Sequence, residues 1–294
     1  MPSLLIQLSY ILLLFFMLSY SVSASADDSR AESLFQEGET LYQQRYSAVA
    51  ITPLEEAAKL GHAGAAHRVG EILRRRYTYI TEEAEAYYLQ AAEGGEVYAM
   101  LRLAQKGNFC GTLRNCDYDR DVWVERAAEN GHAFAQYCMA VMLDEQGRGF
   151  YWTQAGRRAD ILKWLEASAE QGFPKAMHKL ASEYAQDGRM EEAVVWADRM
   201  GKTDYFPAIY EYGLVLVDGP DGVEGLIQYP ETKPVEGLAM LFALYRETRR
   251  SSVQRSIDRR LPGLPPEILA VAKAKSEDLL VDKPILHYLP RFGT

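Results

Sequence analysis

Three cysteines and five histidines are the side chains of this sequence best suited to metal or thiol chemistry. His132 and Cys138 lie six residues apart in "AAENGHAFAQYCMAVML", Ala127 to Leu143. A zinc site needs close ligand pairs at finger spacing or two histidines one helical turn apart around a glutamate. Neither pattern occurs, so no metal and no cofactor is expected. The spacing Cys-x-x-Cys, which redox chemistry would need, is also absent. Cys110 and Cys116, in "NFCGTLRNCDYD", flank five residues and can pair in an oxidising compartment. Closing so short a loop would restrict the unfolded chain by about 2 to 3 kcal/mol. A bridge from Cys138 to either of them is the alternative, and both schemes leave an odd thiol. The charged company that Cys138 keeps in the repeat described below predicts a partly exposed thiol.

Catalytic constellations are missing in the same way. There is no Gly-x-Ser-x-Gly elbow, no phosphate-binding glycine loop and no cysteine with a matching histidine signature. Acid pairs such as Glu55 with Glu56 and Glu191 with Glu192 fall in helical stretches and read as solvated faces. The expectation is a protein that is not an enzyme. A cell-wall or glycan-active enzyme is the remote rival, and it would require a cleft on which carboxylates converge.

The elements that must position these residues are repeats. "LEEAAKLGHAGAAHRVGEIL" from Leu54, "YLQAAEGGEVYAMLRLA" from Tyr88, "VERAAENGHAFAQYCMAVML" from Val124 and "LEASAEQGFPKAMHKLASEY" from Leu165 overlay without gaps. Their anchors Gly61, Gly95, Gly131 and Gly172 are spaced by 34, 36 and 41 residues, and Asp204 holds the same point of a degenerate fifth unit. Units of this length are helix pairs. Four residues after each anchor stands an alanine: Ala65, Ala99, Ala135, Ala176, Ala208. Nine after stand only Gly70, Ala104, Ala140, Ala181 and Gly213, small enough for a neighbouring helix to approach closely. Eight before stand Pro53, Tyr87, Trp123, Trp164 and Trp196, a structural column on the first helix. One pair cannot bury its own apolar face, so neighbours must stack.

Six residues after the anchors come His67, Leu101, Tyr137, His178 and Tyr210. Equivalent positions of stacked repeats line up, and aromatic and imidazole rings are enriched where proteins meet. This column is therefore the candidate partner-binding stripe, with inter-unit packing as its plainer alternative. His132 shares a variable column with His62, Glu96, Phe173 and Tyr205, which argues against a ligand role.

Residues 4 to 22 carry no charge and precede Ala24, Ser25 and Ala26, so residues 1–26 read as a signal peptide cleaved after Ala26, although the usual positive start is missing. An uncleaved anchor is the alternative. The net charge is −9, which should repel nucleic acid. The one basic run, Arg246 to Arg260, holds six arginines and reads as a solvated helix face and connector, or as a docking patch for an acidic partner.

The repeat columns resemble the Sel1-like repeat, a subclass of the tetratricopeptide-like helix-pair families. The match covers residues 50 to 216 well and both ends loosely. The resemblance implies an all-α, right-handed α/α superhelical solenoid of about five to seven helix pairs, without catalytic residues, that binds other proteins as a scaffold. The fifth unit departs by placing Met200, Gly201 and Asp204 where the family has Ala-Ala and Gly, so irregular stacking is expected there. With the leader, the organisation reads as 27–50 N-terminal capping helix, 51–217 repeats, 218–234 Gly/Pro-rich loop and 235–294 C-terminal helical cap, with no boundary dividing the repeats. The function implied is an exported, periplasmic scaffold that binds a protein of the envelope for assembly or regulation. The alternative is an inhibitor or immunity protein that neutralises a secreted toxin effector. A membrane is reached only through the partner or an uncleaved leader.

Overall fold

The structure is a computed structural model and describes residues 27–77, 79–105, 118–145, 151–219 and 230–289, apart from the side chains of 105 and 118–120. Among the described residues the regular structure is helical, and the one extended feature is an isolated parallel bridge between Tyr205 and Leu286. The chain divides between Asn130 and Gly131 into two compact units. No shift of composition marks that point, because the same repeat columns run through both sides of it.

The first unit holds α1 (27–43), α2 (Ser47–Lys59), α3 (Ala63–Tyr77), α4 (Glu82–Glu93), α5 (Val97–Gln105) and α6 (Tyr118–Glu129). The second holds α7 (Ala133–Glu145), α8 (Gln154–Glu170), α9 (Pro174–Gln186), α10 (Met190–Gly201), α11 (Phe206–Asp218), α12 (Pro234–Thr248), α13 (Ser251–Arg260) and α14 (Pro266–Ser276). Within each unit, each helix from α2 to α6 and from α7 to α12 packs on the next, and α14 returns onto α12. The helix starts follow local chemistry. Thr81 and Thr153 accept hydrogen bonds from the backbone N–H of Ala84 and Gly156. Pro174, Pro207, Pro234 and Pro266 occupy first turns, where a missing N–H costs nothing.

The turn inside each pair explains why alanines and a glycine recur together. After α2 the His62 N–H donates to the Ala57 carbonyl at 3.1 Å and Gly61 N–H to Ala58 at 2.9 Å. Ala91, Ala92, Gly95 and Glu96 repeat this after α4, as do Ser168, Ala169, Gly172 and Phe173 after α8. This is a Schellman stop, and it needs a left-handed residue at the glycine. Gly61, Gly95, Gly131 and Gly172 have φ of +94°, +89°, +84° and +85°. The turn aims the next helix back so that Ala65, Ala99, Ala135, Ala176 and Ala208 are all buried.

The fifth turn is built differently. Asp204 is not left-handed, and the Thr203 hydroxyl instead donates to the Met200 carbonyl. The segment around Leu286 then straps this turn: Phe206 N–H donates to Leu286 O at 2.8 Å and Leu286 N–H to Asp204 O at 2.7 Å. Close helix approach falls on the small column. A Cβ on Gly70 would stand 2.8 Å from the Tyr88 ring, and one on Gly213 would stand 2.9 Å from Leu241.

The C-terminal cap contains one helix more than its two apolar stretches suggest. The basic run supplies the end of α12 and all of α13, and its arginines are largely spent internally. Arg246 donates to the carbonyls of Ser276 and Leu279, both at 2.7 Å. Arg260 clasps the Asp218 carboxylate with two nitrogens. Arg250 lies over the Phe206 ring and donates to His287. Arg249 and Arg255 remain exposed.

Candidate functional site

The residue seven after four of the five anchors proves to be the one that ties consecutive second helices together. In the first unit Arg68 of α3 forms a two-pronged pair with Glu39 of α1, at 2.6 and 2.8 Å. Arg102 of α5 reaches Glu71 of α3 at 2.6 Å. In the second unit Lys179 of α9 reaches Asp144 of α7 at 2.6 Å, and His178 of α9 meets Glu211 of α11 at 2.5 Å. Each rung spans 29 to 35 residues of sequence, about one repeat. Charged side chains recurring in one column were the available signal for this ladder.

Cys138 fills that column in the third unit, and the expected partial exposure does not hold: the residue is buried, at 2%. Arg68, Arg102, Lys179 and Glu211 start from the same half-covered backbone position but carry their charge outward on long stems. A cysteine side chain ends where those stems begin. His132 is half-buried at the start of α7, and burial pushes its pKa down. In the same column His62 Nδ1 accepts the backbone N–H of Ala65 at the start of α3. Cys110 and Cys116 lie outside the described residues, as do residues 1–26 and most of the Gly/Pro-rich loop. Among the described residues no cluster of three or more histidine, cysteine or carboxylate side chains is arranged to hold a metal ion.

The strongest local electrostatics of the first unit surround Glu71, with a 5% exposed side chain. It accepts from Tyr88 at 3.0 Å, Arg102 at 2.6 Å and Arg74 at 2.8 Å. Burial pushes this carboxyl up, but the Arg74 hydrogen bond and the charge and hydrogen bond of Arg102 outweigh it and hold the pKa at about 2. Burial and the neighbouring Glu71 raise the Tyr88 phenol.

The stripe residues have two kinds of surroundings. In the first unit His67 lies between Tyr88 and Tyr98, with ring centroids 6.1 and 6.3 Å away, and Leu101 is buried. In the second, Tyr210 is half-buried and bonds Ser256 of α13 at 2.5 Å. Tyr137 and His178 come together at a groove of about 570 Å³ between α7, α9 and α11. Tyr137 packs on Phe173 with centroids 5.3 Å apart, which fixes its ring. The floor is set by Ala208 and Met200, and the rim by Arg158, Lys175, Glu145 and Tyr205. Four carboxylates line this groove against three fixed cations. Sequence reading finds Tyr137 and His178 but not Arg158 or Tyr205, which enter from a first helix and an inter-helix turn.

No protein-family model and no curated protein matches the sequence. Among solved structures the chain is similar to a protective antigen present in uropathogenic Escherichia coli strains and displaying an SLR fold, with a TM-score of 0.66 and 17% identity over 92% of this chain and 57% of that one. It is also similar to a Sel1 repeat protein from Oxalobacter formigenes, with a TM-score of 0.51 and 20% identity over 66% of this chain and 82% of that one. The chain thus spans little more than half the length of the Escherichia coli protein. The likeness at these identities is one of fold, and this chain has the Sel1-like repeat fold: all-α, built of stacked helix pairs.

Proposed function

We propose that this protein is a non-catalytic scaffold that binds another protein through the groove of its second unit, and that it does so in the cell envelope after export. The observation that carries this reading is the meeting of Tyr137 and His178 at one concave face whose walls are already tied by the His178–Glu211 hydrogen bond and the Lys179–Asp144 ion pair. A surface ordered before its partner arrives avoids part of the entropic cost of association. The charge-free run ahead of Ala26 supports export. Among the described residues no helix is long and apolar enough to cross a membrane.

A photo-reactive amino acid placed at Tyr137 is expected to trap a partner in living cells, whereas one at the exposed Glu37 of α1 is not. Equal trapping at both positions, or none at Tyr137, removes the groove as the contact face. Mass spectrometry of the purified protein is expected to find Asp27 at the amino terminus. A chain retaining residues 1–26 in the cytoplasm removes the export part of the reading.

A further inference from the structure

We infer that the segment seated in this groove is cationic: an extended stretch of the partner carrying lysine or arginine. The inference rests on the scaffold reading above and specifies the chemistry of its partner. Two of the three lining cations are already claimed by two of the four lining carboxylates, which leaves Glu145 and Glu211 against Lys175. Arg158 is held by Glu183 at 3.0 Å and by Asp187 at 2.9 Å. Lys179 is held by Asp144 at 2.6 Å, with Glu183 at 3.9 Å. Lys175 is the third, exposed at the first turn of α9.

On the acidic side, Glu211 faces the groove opposed by the imidazole of His178 and keeps 24% of its side chain exposed. Glu145 is exposed in the last turn of α7, which holds no basic residue. The carbonyl ends of that helix already project negative potential there, so Glu145 adds charge of the same sign. Tyr137 and Tyr205 present aromatic rings to the same space, and ring faces attract ammonium and guanidinium groups. The chain uses this contact itself, for instance with Arg199 over Trp196 at 4.4 Å. The net charge of −9 draws a basic segment from a distance and repels an acidic one. An apolar helix would strand the lining charges against hydrocarbon, which is costly.

The test measures fluorescence anisotropy of a labelled Gly/Lys/Arg peptide, and of a matched peptide with Glu at the basic positions, against the processed full chain. Saturable binding of the basic peptide alone, weakened by added salt, is expected. Glu211→Gln and Glu145→Gln should each weaken it about three- to tenfold, while Glu191→Gln, on the exposed face of α10, should leave it unchanged. Glu145 is exposed at a helix end, so that variant keeps the result readable if Glu211→Gln disturbs packing. Equal binding of the acidic peptide, no effect of the groove variants, or an equal loss in Glu191→Gln overturns the inference. A partner still trapped at position 137 and indifferent to Glu211→Gln and Glu145→Gln leaves the scaffold reading standing and sinks the cationic segment alone.

Discussion

Glu71 sits where water barely reaches it, and its charge survives because Tyr88, Arg74 and Arg102 all donate to it. Glu71→Gln removes the charge and sets an amide N–H2 donor against one of the two guanidiniums, so it should destabilise the first unit by about 3 kcal/mol in urea titrations. Tyr88→Phe removes one donor of three and should cost about 1 kcal/mol. The folded pKa is depressed from 4.5 to about 2, so the stabilisation is present above the unfolded value and fades as pH falls toward 2. Wild type should lose stability over that window more steeply than Glu71→Gln, measured by denaturation at several pH values. Arg45 poses the opposite case. It ends α1 in the left-handed region at φ 70°, in the same stop that glycine supplies elsewhere. Arg45→Gly should therefore raise the unfolding free energy by about 0.5 to 1 kcal/mol, seen as a higher urea midpoint.

The helix pairs around Gly61, Gly95 and Gly172 are each a Schellman stop followed by a buried alanine, and both halves depend on the glycine between them. Gly172→Ala leaves side-chain space free, since no heavy atom lies within 4 Å of the added Cβ, yet it strains the backbone at φ +85°. The cost should be about 1 to 2 kcal/mol, arising from conformation alone. Gly70→Ala tests the other small column, where φ is ordinary and the obstacle is the Tyr88 ring. The fifth turn lacks a left-handed residue and relies on the strap at Leu286. Deleting residues 284–294 should speed amide exchange at Phe206, whose N–H donates to Leu286, while the Phe173 amide, closed by its own turn, keeps its protection. Equal protection of Phe206 with and without the strap would mean that the turn stands unaided.

Within each unit the contacts run mainly between helices next to each other in the chain, with the return of α14 onto α12 as the largest departure, so stability is expected to be local. Hydrogen exchange of Glu71→Gln should show faster exchange in α3 to α5 and unchanged exchange in α12 to α14. A uniform loss of protection would show cooperativity reaching well beyond nearest neighbours. The division at Asn130 and Gly131 belongs to this scale as well, since it falls inside a run of repeats whose columns continue on both sides of it.

Helix pairs, their turns and the buried alanine column were legible in the sequence because each depends on interactions within one repeat, and five copies display the same constraint. Glycine at φ near +85° and alanine under a crossing helix are demanded locally, whatever the partner element. Which residues meet across repeats was not legible. Glu71 with Arg102, and His178 with Glu211, lie about one repeat apart, and spacing alone does not state whether a charged column faces water or the next helix. Cys138 was misjudged for the same reason, since its charged column-mates report where a long side chain ends rather than how deep the backbone lies. The strap reaches from Leu286 to Asp204, and the groove combines helices from three pairs. Only the packed chain brings such distant segments together, because burial is shared among elements rather than assigned to any one of them.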